Sequence, residues 1–213
     1  MRIRVVTLGV ALVLAGSGCV KTSRDVAVPS APDDRGLVAH WTFDESRGSV
    51  AKDVTGNGHD ARLKGAQTLP EGHGRALLLE AKEAYADAGV APGFQTAAGG
   101  AFSLWFRPRK LQGGLVNWSK GSGWTDIRLT LAFNTFYGGN EFLVSVSDGR
   151  SFEKIPVPAP PLDQWTHMAV SFAGPNLTVF VNGVPAVSRS VNCVPDRTGI
   201  PLWIGRCEGL GEA

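Results

Sequence analysis

From Leu37 to Gly205 the chain returns again and again to one pattern, in which apolar and polar residues alternate over short runs. LVAHWTF (37–43), AFSLWF (101–106), DIRLTLAF (126–133), EFLVSVS (141–147), WTHMAVSF (165–172) and LTVFV (177–181) all have a period of two. Successive side chains of a strand point to opposite faces, so this period puts one face on a core and the other away from it. ALLLE (76–80), GLVNWS (114–119), VPAVS (184–188) and PLWIG (201–205) are shorter candidates. Clusters of Gly, Pro, Asn and Asp separate the runs at intervals of about 8–12 residues, the spacing of a sandwich or barrel. Asn182-Gly183, between two apolar alternations, predicts a tight hairpin. LEAKEAYADAG (79–89) has the composition of an isolated short helix. With 27 Gly and 13 Pro in 213 residues, the chain favours turns over long helices, and the expected class is all-β.

The length suits one domain with a continuous core, and 43% hydrophobic against 19% charged residues excludes a disordered chain. The formal charge is +2, and Arg2 and Arg4 supply both units, so the rest of the chain is near neutral. A nucleic-acid ligand needs a basic surface to displace counterions, and none is expected here.

Arg2 and Arg4 precede the apolar run VVTLGVALVLAG, then GSG, then Cys19. A charged start, a short apolar stretch and small residues form an export leader, too short to span a bilayer as a retained helix. LAGSGC resembles a bacterial lipobox, with Gly16 where leucine is commonest. The resemblance implies lipid attachment at Cys19 and a mature chain beginning there. VKTSRDVAVPSAPDDRG then has the polar, proline-bearing composition of a tether. The expected organisation is a leader over 1–18, a tether over 19–35 and a domain over 36–213, exported and lipid-anchored to the bacterial cell envelope. An ordinary leader, with a secreted or periplasmic product, is the alternative. With Cys19 acylated, Cys193 and Cys207 remain as a disulfide candidate in an oxidising compartment, or as two separate buried thiols.

GLVAHWTFDE followed by DVTGNGHDARL resembles the opening of a laminin-G-like (concanavalin A-like) domain. AFSLWFRP, WTHMAVSF, LTVFVNGVPAV and PLWIG are similar to later strands of that family, in the same order. The resemblance spans about 36–205 and implies a two-sheet antiparallel jelly-roll sandwich. Family members continue to a final strand bearing an acidic residue, which pairs near the first strand. CEGLGEA does not supply it, so the fold is expected to lack that strand and to leave an edge open beside LVAHWTF, unless another segment fills the gap.

Two chemistries follow from the family. Glucanases of this fold carry ExDxxE, which sets two carboxylates at the separation that retention requires. The glutamates here never form that arrangement. Neither a GxSxG elbow nor HExxH occurs, and His40, His59, His73 and His167 lie in separate segments, so no catalytic residue is assigned. The family also often holds calcium near the loop DVTGNGHD (53–60). Asp53, Asn57 and Asp60, with Asp44 nearby, are the oxygen ligands that a structural calcium ion takes; a plain capped turn is the alternative. Of the six tryptophans, Trp41, Trp105 and Trp165 are expected in the core. Trp118, Trp124 and Tyr137 border polar loops and are the candidate ligand-binding aromatics, or else pack at the edge of the core. The expectation is a non-catalytic, membrane-tethered module for a glycan or an envelope or extracellular protein. The alternatives are a glycan-active hydrolase and a structural envelope protein.

Overall fold

The structure is a computed structural model describing residues 1–9, 36–72, 74–81, 83–94, 99–121, 126–134 and 141–206. Its strands, in chain order, are β1 (Arg2–Gly9), β2 (Leu37–Trp41), β3 (Val50–Ala51), β4 (Ala61–Lys64), β5 (Gln67–Glu71) and β6 (Gly74–Leu78). There follow β7 (Tyr85–Gly89), β8 (Gly99–Arg107), β9 (Gly113–Ser119), β10 (Ile127–Asn134) and β11 (Glu141–Ser147). The chain ends its ladders with β12 (Phe152–Val157), β13 (Thr166–Ala173), β14 (Asn176–Val181), β15 (Val184–Ser190) and β16 (Leu202–Ile204). One short 3₁₀ turn, Pro92–Phe94, is the sole helical element among the described residues. The stretch with helix-like composition contains β7 instead, because its alternating Ala84 and Ala86 enter the core.

All pairing is antiparallel, in two sheets. One runs β15-β14-β13-β8-β1-β6-β5, with β2 also on β1; the other runs β12-β11-β10-β9-β16-β7-β4-β3. They pack face to face as a jelly-roll sandwich. Phe102 and Phe106 of the first sheet meet Trp118 and Phe142 of the second, with ring centroids 5.7 and 6.0 Å apart. Phe133 adds a ring 4.6 Å from Phe142. Each fully buried side chain of this size contributes about 1.5–3 kcal/mol, so these rings dominate the core energy. Segment 191–200 crosses one end, burying Val191, Cys193, Arg197 and Ile200. Arg197 lies with its guanidinium 4.4 Å from the Phe172 ring and 5.5 Å from that of Trp118, and burial lowers its pKa to about 10. It therefore stays charged at neutral pH and meets ring faces in the interior.

The hairpin between β14 and β15 turns at Asn182 (φ 49°) and Gly183 (φ 81°). Two successive positive φ values are what the Asn-Gly pair supplies at little strain. β15 is the outer edge of its sheet; it is exposed along almost all its length and contains Pro185.

Two expectations about tryptophan change. Trp41 is buried, but Trp105 is 43% exposed. In AFSLWF the core takes Phe102, Leu104 and Phe106, and strict alternation then turns Ser103 and Trp105 outward. Trp165 is half-buried beneath the Arg107 guanidinium, 5.5 Å away.

The edge expected to lie open beside β2 is occupied. β1, built from residues with the composition of an export leader, lies between β8 on one side and both β6 and β2 on the other. Ile3 is fully buried, opposite Leu77 of β6 and Phe106 of β8. The bridge expected from Cys193 is not made: it is a free, buried thiol whose Sγ donates to the Val146 carbonyl at 3.6 Å. Cys207, its expected partner, lies outside the described residues, as do Cys19, the tether and His73.

Candidate functional site

The loop after β3 gathers the predicted cation ligands, but in a different role. Asp53 is 8% exposed. Its Oδ1 accepts from the amides of His40 (3.0 Å) and Thr55 (3.1 Å) and from the Thr55 hydroxyl (2.7 Å). Its Oδ2 accepts from the His59 amide at 3.1 Å. Burial pushes the carboxyl pKa up, but the Thr55 hydroxyl and these amides outweigh it and hold it below the ordinary value. Asp60 accepts from the Asp53 amide (3.0 Å) and from Lys52 Nζ (2.5 Å), and its pKa is lowered, chiefly by Lys52. Asn57 spends its Nδ2 on the carbonyls of Leu37 and Val38. Asp44 turns away and accepts from the Arg75 amide at 2.8 Å.

Calcium needs six to eight free oxygens converging on one point. Here both oxygens of Asp53 are already taken by N–H and O–H donors, so the residues present do not fit the ion. Among the described residues no group of three or more His, Cys, Asp or Glu is placed to hold a metal. What the loop does is lock the chain after β2: Trp41 Nε1 donates to the His59 carbonyl at 2.7 Å, and the His59 ring packs 4.8 Å from Phe94.

A second polar group lies on the face of the β9–β10–β11 sheet that turns away from the core. Register places Ser145, Thr130, Asn117 and Trp203 side by side on β11, β10, β9 and β16. Asp87 follows opposite Trp203, and Lys154 stands opposite Ser145 at the far end. Directly opposed residues have Cβ atoms about 4.5–5.5 Å apart, so this is one continuous row. The alternation that sends Leu129, Leu131, Val116 and Val144 inward sends these residues outward.

The middle of the row is nevertheless covered: Asn117, Thr130 and Ser145 are each 0% exposed. Thr130 Oγ1 donates to the Val116 carbonyl at 3.1 Å. Among the described residues, Asn117 Oδ1 and Nδ2 and Ser145 Oγ have no hydrogen-bond partner. A buried polar group without a partner is costly, and such groups mark places where a water or ligand belongs. Toward β7 the row opens. Trp203 and Tyr85 are half-buried, with rings 6.0 Å apart, and the Arg206 guanidinium lies 5.0 and 4.8 Å from them. Aromatic faces thus continue into amide and hydroxyl groups along one line.

Of the three aromatics singled out from the sequence, Trp118 is 0% exposed and belongs to the core. It alternates with Asn117 and Ser119 and points toward Phe102, so burial follows from its parity in the strand. Trp124 and Tyr137 lie outside the described residues, in the connections from β9 to β10 and from β10 to β11. Asn117, Thr130, Ser145 and Trp203 were not singled out. The signal of the first three is the polar residue at every second place in GLVNWS, LTLAF and SVS, but only register across four strands joins all four.

The polar row stands on a recognisable scaffold. Domain 4 of AbnA, a GH43 extracellular arabinanase from Geobacillus stearothermophilus solved in complex with arabinotriose, superposes with a TM-score of 0.59 at 19% identity. The match covers 80% of this chain and 84% of that domain. Trypanosoma rangeli sialidase, in complex with 2,3-difluorosialic acid, gives 0.55 at 20% identity over 78% of this chain. This chain covers 27% of the sialidase's own length. At these identities the likeness is one of fold. Comparison with curated protein sequences finds no match. A sequence profile matches residues 81–212, more than half of the chain, and on that match the chain belongs to the concanavalin A-like lectin/glucanases superfamily.

Proposed function

We propose that this chain is a non-catalytic glycan-binding module of the bacterial envelope. The observation that carries the reading is the row in which half-buried Trp203 adjoins the unpartnered amide of Asn117 and the hydroxyl of Ser145. An indole offers a flat apolar surface to a sugar ring, while an amide and hydroxyls match its OH groups as donors and acceptors. The similar arabinanase domain was solved with a trisaccharide, which makes arabino-oligosaccharides the first ligands to test.

Glycoside hydrolysis by the usual route takes two carboxylates flanking the bond. The described part of the row carries one, Asp87, whose Oδ1 accepts from the Gly89 amide at 2.9 Å. That supports binding without cleavage. In this reading residues 1–18 direct export, Cys19 carries a lipid, and the tether holds the domain near the membrane.

The test is calorimetric titration of the full-length chain with arabinotriose, alongside a glycan array. Saturable binding that weakens at least tenfold in Trp203→Ala and Asn117→Ala is the expected result. A folded chain that binds no glycan overturns the proposal, and release of shortened sugars replaces it with a hydrolase. The mass of the protein recovered from a bacterial envelope tests the processing at Cys19 separately.

A further inference from the structure

Six large apolar side chains stand well exposed among the described residues, and three of them gather at one end of the first sheet. Trp105 (43% exposed) lies near the close of β8, Leu162 (47%) in the turn before β13, and Val184 (65%) where β15 leaves its hairpin. Antiparallel pairing brings these points together, because β8 ends where β13 begins and β14 ends beside that start. The Trp105 ring is 5.1 Å from that of His167. The His167 amide donates to Asn182 Oδ1 at 2.9 Å, and the Asn182 amide donates back to the His167 carbonyl at 2.8 Å. On the other flank the amide of Asp163, next to Leu162, donates to the Pro108 carbonyl at 2.8 Å. Exposed apolar groups clustered in this way mark an interaction surface.

The make-up of the cluster selects its partner. Leu162 and Val184 border turns and have no flat ring to offer a sugar. The charges beside them are of both signs and near balance. Arg107 pairs with Glu71, which also holds Arg2, Arg109 pairs with Glu80, and Lys110 and Asp163 are exposed. A zwitterionic headgroup layer meets both signs, and the acyl boundary beneath it accepts apolar tips of any shape. Indole rings favour that boundary, being apolar in body and polar at the N–H.

We propose that this end of the sandwich rests on a bilayer, with Trp105, Leu162 and Val184 seated in the interface of a phosphatidylethanolamine surface. The proposal takes only nearness from the anchoring reading. The expected tether joins at the opposite end of the sheet, where Leu37 pairs with Gly9. Residues 19–35 can extend about 55–60 Å, and a strand as long as β8 spans about 30 Å, so the tether lets this end turn to the membrane. A second, weak contact then suffices, because the first already holds the domain at a high effective concentration.

The test mixes the full-length, unlipidated chain with phosphatidylethanolamine–phosphatidylcholine vesicles carrying a photoactivatable acyl chain, and maps the cross-links by mass. Cross-links within 101–110, 160–167 and 182–188 are the expected result, and they persist in high salt because apolar contact drives them. Combining Trp105→Ser, Leu162→Ser and Val184→Ser lowers their yield at least tenfold while circular dichroism stays unchanged. Cross-links confined to residues 1–18, spread evenly over the surface, abolished by salt or undiminished in the variant overturn the proposal. The chain carries no lipid in this test, so its outcome is separate from the fate of Cys19 in the envelope.

Discussion

Asp53 in its loop and Asn117 in the polar row are both polar, both buried and both able to hold a ligand, yet they differ in bookkeeping. At Asp53 each oxygen is matched by a donor of the chain itself. At Asn117 and Ser145 the polar atoms are sequestered without a match among the described residues. The contrast shows that residue type does not make a site. A satisfied carboxylate serves folding, whereas an unsatisfied buried amide reduces stability where it stands, and that cost is what the proposed ligand would offset.

The comparison breaks most readily at Asp53. Asp53→Ala strands three amides and a hydroxyl, and unfolding experiments should show a loss of about 3 kcal/mol. For a domain of this size that lowers the thermal midpoint by about 6–12 °C. If the midpoint holds, the loop is not the lock described here. Trp203→Ala should come next, weakening glycan binding at least tenfold, equivalent to about 1.4 kcal/mol. Calorimetry on the variant, with its fold verified by circular dichroism, decides this.

Asn117→Val sharpens the contrast from the other direction. Removing an unpartnered buried amide for an apolar group of similar shape should leave stability unchanged or raise it by up to about 1 kcal/mol, while ligand binding falls. A large destabilisation would mean that the amide already serves the fold. The acid limb separates the regions too. Asp53 has a folded pKa below its unfolded value of about 3.9, so its contribution is full above that pH. It is lost as pH falls through the lower folded value, and Asp60 has the same sign. Denaturant titrations between pH 5 and 2 should therefore show a shallower acid loss in Asp53→Asn than in the parent. The smallest effect is expected at Trp105, whose ring is partly in solvent: Trp105→Ser should shift stability by about 0.5 kcal/mol or less.

Much of the sandwich was legible because period-two alternation is a local property. β10, β11, β13 and β14 lie close to where LTLAF, EFLVSVS, THMAVSF and LTVFV place them. β4, β5, β7 and β12 were not, since ARLK, QTLPE, YADAG and FEKIPV carry too few apolar residues for the pattern to emerge. RIRVVTLG has a cationic start and a branched apolar run, which suit export and a sheet strand equally well, so its pairing as β1 is not legible locally. Trp118 and Trp105 both turn on parity: Trp118 borders a loop yet takes the core face, and Trp105 lies in an apolar strand yet takes the outer one. The row was the hardest to see. Alternation predicts that Asn117, Thr130 and Ser145 face away from the core, but it cannot align three strands or tell a solvated face from a covered one.

The rim formed by β15 has a bearing on how copies share a crowded surface. Its proline lacks an amide hydrogen, and Arg189 reaches across to Glu153 of the opposite sheet at 3.2 Å. A border of this kind interrupts the ladder that a neighbouring molecule would have to extend, so domains crowded shoulder to shoulder are less prone to knit into fibrils along it.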